Sequence, residues 1–151
     1  MAKEELCVLT NMCMIYDENR VLVQKRVDPN WSGISFPGGH IEPNESFVDS
    51  VIREIKEETG LNITNVELCG VKQFPYNEGK CRYIVFLYKT NTYSGKLIAS
   101  DEGEVFWVNK ESLKDYVLAD GFEELYEVFE NNNLTENYWW IEDNKWKVVN
   151  K

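Results

Sequence analysis

Histidine is almost missing from this 151-residue sequence, and His40 is the only one. That removes catalysis by a histidine pair and deprives any zinc site of its usual imidazole donors. Cysteine offers no substitute, because Cys7, Cys13, Cys69 and Cys81 are scattered without a CxxC pair or metal-ligand spacing. Each lies in an apolar, strand-like run, which predicts buried free thiols rather than disulfides or ligands. Positive charge is scarce too, with 16 Lys and Arg against 26 Asp and Glu, a formal net charge of −10. Gripping a nucleic acid polymer through its backbone needs a basic face, so no such partner is expected. No apolar run reaches membrane length and no signal-peptide pattern appears, so no membrane partner is expected and the cytoplasm is the simplest location. Linkers, low-complexity segments and internal repeats are also absent, which predicts one domain over residues 1–151.

What is present reads as a globular chain, with 43% hydrophobic residues and five Trp. Residues 6–16 form an apolar strand with Thr10 and Asn11 inside it, a strand placed to run past a ligand site. Asp17-Glu18-Asn19 is turn chemistry, and residues 21–27 resume as a strand, giving a hairpin that ends in Lys25 and Arg26. Asp28-Pro29-Asn30 is a loop, residues 31–36 a short aromatic-bearing segment, and Pro37-Gly38-Gly39 a sharp bend. Residues 63–74 and 80–90 are two long strands joined through the turn-rich 75–79. A strand at 104–108, a helical turn at 110–116 and an amphipathic helix at 119–130 follow; the helix has Phe122, Leu125, Tyr126 and Phe129 on one side. Residues 137–149 carry two aromatic-rich arms around Glu142-Asp143-Asn144 and predict a terminal hairpin, read as packing or a dimer contact. Strands before, between and after two helices imply an α/β class, an α/β/α sandwich around a mixed β-sheet.

The chemistry is concentrated between Gly39 and Leu61, GHIEPNESFVDSVIREIKEETGL. Ser46 followed by Asp49 begins a helix and Gly60-Leu61 ends it. Phe47, Val51 and Ile55, flanked by Val48 and Ile52, make a stripe at helical spacing that must face a core. Glu54, Glu57 and Glu58 are three and four residues apart, so their carboxylates crowd one patch and repel. Such a patch is either a solvated acidic face or a site for a hard cation, Mg²⁺ or Mn²⁺, that favours all three ionised forms. Arg53 is four residues from both Asp49 and Glu57 and can hold a carboxylate in place.

Gly39, five residues, Glu45, seven residues, then Arg53-Glu54-Ile55-Lys56-Glu57-Glu58-Thr59-Gly60-Leu61 matches GX5EX7REUXEEXGU, with U aliphatic, at every specified position. The chain is similar in this respect to the Nudix hydrolases, and the resemblance extends over about residues 5–130. It implies the Nudix fold, with the second helix covering the other sheet face. It also implies hydrolysis of a nucleoside diphosphate linked to another moiety X, by water attacking a phosphorus of the pyrophosphate bridge. Glu54, Glu57 and Glu58 are then the metal ligands, joined by a carbonyl of Gly39, with Glu54 or Glu57 also the base. Arg53 takes an orienting role with Glu45 as partner. Arg26 lies where related enzymes place a phosphate-binding arginine, and a further acidic ligand is expected from Glu102 or Glu104.

The short length and the PGGHIEPNES lead-in favour a MutT-like nucleoside triphosphate pyrophosphatase, with 8-oxo-dGTP the foremost expectation. Phe36, Phe74, Tyr76 and Trp107 are candidate stacking faces for a base. Asp120 falls near where MutT-like enzymes place a base-reading residue, or is a helix N-cap. Pyrophosphatases of ADP-ribose, nucleotide sugars or dinucleoside polyphosphates carry a Pro or Tyr beyond the box, and Pro75-Tyr76 offers both. A non-hydrolysing nucleotide sensor is the remaining alternative. The expected partner is a small nucleotide, on a monomer or homodimer.

Overall fold

Strand β1 (Cys7–Asp17) is apolar on both faces, so both must be covered. Met12 and Met14 enter one core and Cys13 and Ile15 the other. In the computed structural model, which describes residues 1–151, this strand is the trunk of the main sheet. It runs parallel to β7 (Cys81–Thr90) along one side. Along the other side it forks: Thr10–Met12 pair with β4 (Gly38–His40), whereas Tyr16 and Asp17 pair with β2 (Arg20–Arg26). Beyond β2 lie β3 (Gly33–Ser35) and β9 (Gly103–Asn109); beyond β7 lie β6 (Glu67–Tyr76), β10 (Glu136–Glu142) and β11 (Lys145–Asn150).

Helix α1 (Phe47–Thr59) covers one face. Asp49 N–H donates to Ser46 Oγ at 3.1 Å to start it, and Gly60 stops it in the left-handed conformation at φ 82°. A Cβ on Gly60 would also lie 2.5 Å from Lys96 O, so conformation and space both demand glycine there. Val51 and Ile55 are fully buried against Leu22, Ile63 and Tyr88, worth about 1.5–3 kcal/mol for each aliphatic side chain. Helix α2 (Phe122–Glu130) covers the opposite face with Phe122, Leu125, Val128 and Phe129. The arrangement is the α/β/α sandwich around a mixed sheet that the element order implies. Neither helix is long and apolar enough to cross a membrane.

Several local expectations change. The stretch 63–74 is not one strand, because Asn65 turns the chain at φ 52°. Strand β5 (Leu61–Thr64) leaves to pair with β8 (Thr92–Gly95), and β6 begins afresh. Pro75 and Tyr76 belong to β6, and the turn is Asn77-Glu78-Gly79, all three at positive φ. Helix α2 starts at Phe122 rather than 119, because Gly121 adopts φ 74°. Only Cys13 is fully buried; Cys7 is exposed, and Cys69 and Cys81 are partly so, all four free. Pro37-Gly38-Gly39 is a strand entry rather than a sharp bend, and its glycines answer a different need. A Cβ on Gly38 would collide with Asn11 O and lie 2.7 Å from Met12 Cα. The terminal hairpin extends the sheet, with β10 parallel to β6 through Glu136–Tyr138. Asn137 donates to Asn150 Oδ1 at 2.8 Å, and Asn150 donates to Glu124 O at 2.8 Å, pinning both arms to α2.

Phe36 needs correction as a stacking face. It has no exposed surface, with ring centroids of Phe122 and Phe129 at 5.1 and 5.2 Å. Phe36→Ala is therefore expected to cost about 3–5 kcal/mol of folding free energy, measured by urea denaturation. A change confined to substrate affinity, with stability intact, would contradict the packing role.

Candidate active site

The fork in β1 brings the glycine strand against the acidic residues of α1. Asn11 sits at the junction, buried, with both ends of its amide used. Gly39 N–H donates to Asn11 Oδ1 at 3.2 Å, and Asn11 Nδ2 donates to Ser50 Oγ at 2.8 Å. One side chain thus ties strand β4 to helix α1. Gly38 N–H donates to Glu58 Oε2 at 3.2 Å. The Glu54 carboxyl occupies the space a Cβ on Gly39 would need, so a side chain there would push the carboxyl from this position.

Arg53 organises the remaining carboxylates. Its Nε and Nη2 donate to the two oxygens of Glu45 at 2.7 and 2.9 Å, a bidentate pair. Nη1 donates to Glu54 Oε1 at 2.9 Å and to Glu57 Oε2 at 3.1 Å, and Nη2 donates to His40 O at 3.1 Å. All five guanidinium N–H groups are engaged. Asp49, the other carboxylate within helical reach, is not a partner; its backbone N–H serves the helix cap instead. Arg53 and a bond from Glu42 N–H hold the Glu45 carboxyl down at about 2.

The other acids are pushed the opposite way. Burial raises the Glu58 carboxyl to about 7, against the Gly38 hydrogen bond, and the charges of Glu54 and Glu102 add to the rise. Burial also raises Glu54, opposed by Arg53 and reinforced by Glu57. Glu57 is open, its side chain 58% exposed. As the side chains stand, no three acids converge on one point. Arg53 draws oxygens of Glu54 and Glu57 to itself while Glu58 turns to Gly38. The donor set nevertheless fits a hard divalent cation. These are oxygen donors that repel one another, Glu58 being repelled by both Glu54 and Glu102, and a cation among them converts repulsion into attraction.

The remaining candidates separate by position. Glu102, in the turn before β9, acts on Glu58. Glu104 is opposite Lys25, and strand alternation sends it with Phe106 and Val108 toward the α2 core, away from α1. Arg26, at the end of β2, lies near enough to Glu58 to favour its ionised form. Phe74 is buried, stacked on Tyr83 at 4.7 Å, while Tyr76 is 46% exposed at the rim of the same rings. Trp107 is covered by Arg20, 4.7 Å from its ring centroid, and packed on Tyr93 at 5.2 Å. Asp120 is exposed and does not cap α2, where Gly121 holds the N-cap without a side-chain bond. Three polar residues have settings that strand periodicity alone does not disclose. Asn11 had a signal, a polar residue inside a doubly buried strand. Gln24 is buried with its Nε2 unpartnered, on the β2 face shared with Leu22 and Arg26. Lys72 had no signal, looking like any strand lysine.

A pH dependence follows from Glu58. Its folded value near 7 exceeds the ordinary 4.5, so the protonated folded form is favoured. Without divalent cation, folding stability is expected to be highest below about pH 4.5 as far as this group is concerned. It should decline as pH rises to about 7 and then level off. Thermal melting of the metal-free protein against pH, compared with Glu58→Gln, checks this: the difference between the two curves should change across that window. Parallel curves would refute a desolvated Glu58.

Comparison with known proteins agrees with the geometry. The profile of the NUDIX domain matches residues 8–131, which contain the whole acidic site. The uncharacterized Nudix hydrolase YvcI of Bacillus subtilis is 32% identical over 113 residues, 72% of this chain and 70% of that protein. An ADP-ribose pyrophosphatase of Methanocaldococcus jannaschii is 34% identical over 100 residues, 64% of this chain and 59% of that protein. The crystal structure of a MutT protein from Bacillus halodurans superposes with a TM-score of 0.78 at 25% identity, covering 93% of this chain and 97% of that one. With the complete box folded around Arg53, the chain belongs to the NUDIX family, and it is a pyrophosphohydrolase acting on nucleoside diphosphate derivatives.

Proposed function

We propose that the chain hydrolyses a nucleoside triphosphate, with an oxidised purine such as 8-oxo-dGTP foremost, to the monophosphate and pyrophosphate. The observation that carries this reading is the near end-to-end likeness to a MutT protein, with 97% of that chain covered. Glu54, Glu57 and Glu58, with Glu102 and a carbonyl of Gly39, would hold Mg²⁺ or Mn²⁺. Such an ion, when bound, neutralises phosphoryl oxygens and lowers the pKa of its coordinated water. The chain supplies positioning. Arg53 fixes the Glu54 and Glu57 carboxylates, so either is placed to take a proton from the attacking water. Gly38 N–H orients Glu58, and Asn11 keeps the glycine strand at the depth this needs. Arg26 receives a phosphate oxygen, attracting an anionic substrate to a chain that is otherwise repulsive to it.

A second reading has its own support. The likeness to an ADP-ribose pyrophosphatase and the exposed Tyr76 next to Pro75 favour ADP-ribose as substrate.

Release of pyrophosphate and phosphate from 8-oxo-dGTP, dGTP, ADP-ribose, a nucleotide sugar and a dinucleoside polyphosphate decides between them, each with Mg²⁺ and with EDTA. Pyrophosphate release from 8-oxo-dGTP at higher kcat/KM than dGTP, abolished by EDTA and by Glu57→Gln, is the expected result. Preference for ADP-ribose keeps the mechanism and overturns the substrate. Arg53→Lys removes the planar fork that holds three carboxylates, so kcat should fall about 10²-fold with KM little changed, since small misplacements cost on that order. An unchanged kcat would show that Arg53 only stabilises the fold.

A further inference from the structure

The α2 side of the sheet carries an aromatic assembly drawn from four separate parts of the chain. Phe74 and Tyr83 stack at 4.7 Å, and Trp31 lies 5.9 and 6.3 Å from them. Tyr76 meets Tyr83 at 5.4 Å, and Trp146 meets Phe74 edge-on at 6.1 Å and Trp139 at 6.2 Å. A core would close over such rings, yet Trp31, Tyr76 and Trp146 remain 44, 46 and 50% exposed. Open rings around a buried centre make a wall with a free face.

Lys72 is inserted into this wall. Its Nζ lies 5.2 Å from the Trp139 ring centroid and 5.7 Å from that of Phe74. No carboxylate pairs with it, although the chain has 26 Asp and Glu. The charge it feels is Arg26, of the same sign, and burial together with Arg26 lowers its ammonium to about 8. Arg26 in turn acts on Glu58 at the acidic site. Arg26 thus acts on Lys72 among the rings and on Glu58 in the acidic site, and it stands where one gives way to the other. A phosphate there would relieve both cations, and it would put whatever is attached to it on the aromatic wall.

The hairpin supplies part of this wall and is rigid where it does so. Trp139 Nε1–H donates to Asn137 Oδ1 at 2.7 Å, and Asn137 is fully buried. The Trp139 ring fills the space a Cβ on Gly121 would need, next to Asp120. Residues 136–150 lie beyond the segment that the family profile matches.

We propose that the C-terminal hairpin completes the substrate site: Lys72, caged by Trp139 and Phe74, binds with Arg26 the phosphate adjoining the nucleoside, and the exposed ring of Trp146 stacks on the base. The inference rests on the reading that the substrate is a nucleotide, and it holds for a triphosphate or for ADP-ribose alike. Specificity for the base then belongs to the hairpin, while the box carries only the hydrolysis.

The test uses the full chain and the variants Lys72→Met and Trp146→Ala. Lys72→Met replaces an unpaired cation by an apolar side chain of similar length, and Trp146 is half exposed, so both are expected to melt at or near the wild-type temperature. Binding of dGMP, AMP, deoxyguanosine and inorganic phosphate is measured in EDTA by calorimetry and by quenching of tryptophan fluorescence. KM and kcat are measured with whichever nucleotide is turned over. Lys72→Met should weaken the monophosphates by about 10- to 100-fold, leave deoxyguanosine nearly unchanged, and raise KM with kcat within about threefold. Trp146→Ala should weaken monophosphates and deoxyguanosine alike, by roughly 10-fold, and reduce the quenching. Wild-type affinities and KM in both variants would overturn the proposal, as would the absence of monophosphate binding to the wild-type chain. If ADP-ribose is hydrolysed and 8-oxo-dGTP is not, the triphosphate reading fails, while the Lys72 and Trp146 effects on ADP-ribose still decide this one.

Discussion

Five hydrogen bonds from one guanidinium hold the acidic site together. Arg53 joins the end of β4, at His40, and the following loop that carries Glu45 to the helix that carries Glu54 and Glu57. These groups are otherwise unrelated in conformation, and without the arginine the carboxylates would repel each other toward solvent. The pairs with Glu45 and Glu54 are partly shielded, so each is worth more than an exposed ion pair, whereas the pair with the open Glu57 adds little. Carboxylates still outnumber the cations, Arg53 and the more distant Arg26. Glu58, with Glu54 and Glu102 acting on it, retains a surplus of negative potential that a divalent ion satisfies.

The scaffold makes this surplus affordable by giving each acid a fixed place. Because β1 changes partner from β4 to β2 along its length, the glycine strand can lie directly under α1. Asn11 sets the height of that strand, and the missing side chains of Gly38 and Gly39 let backbone and carboxyl approach. The hydrophobic faces of α1 and α2 hold the layers at a separation that no polar contact could enforce alone.

The two sides of the molecule divide the chemistry. Acidic side chains gather on the α1 side, where an ion and the reacting phosphorus belong. Aromatic rings and Lys72 gather toward the α2 side, closed by the hairpin, and Arg26 at the end of β2 acts on both Lys72 and Glu58. A protein of net charge −10 thereby presents a local positive step beside its acidic cluster, which is what an anionic substrate requires.

Much of the acidic site was legible in the sequence because its rules are local. Helix limits follow from Ser46 and Gly60, the buried stripe from Val51 and Ile55, and the Arg53–Glu57 contact from helical spacing. The bidentate Arg53–Glu45 bond was legible only through the family signature, since Glu45 lies outside α1, before its Ser46 cap, where helical spacing does not reach. What depends on strand register was not legible. Glu102 acts on Glu58 from the turn before β9, whereas Glu104, inside the strand, is fixed opposite Lys25 by the β2–β9 register. Phe36 became core because β3 leads it between two rings of α2. Lys72 acquired its aromatic cage from a hairpin more than sixty residues away. By itself, then, the sequence determined the helix, the box and the reaction class, because periodicity and capping act over a few residues. Tertiary structure alone decided which acids, rings and cations share a site, because that depends on which strands pair and in what register.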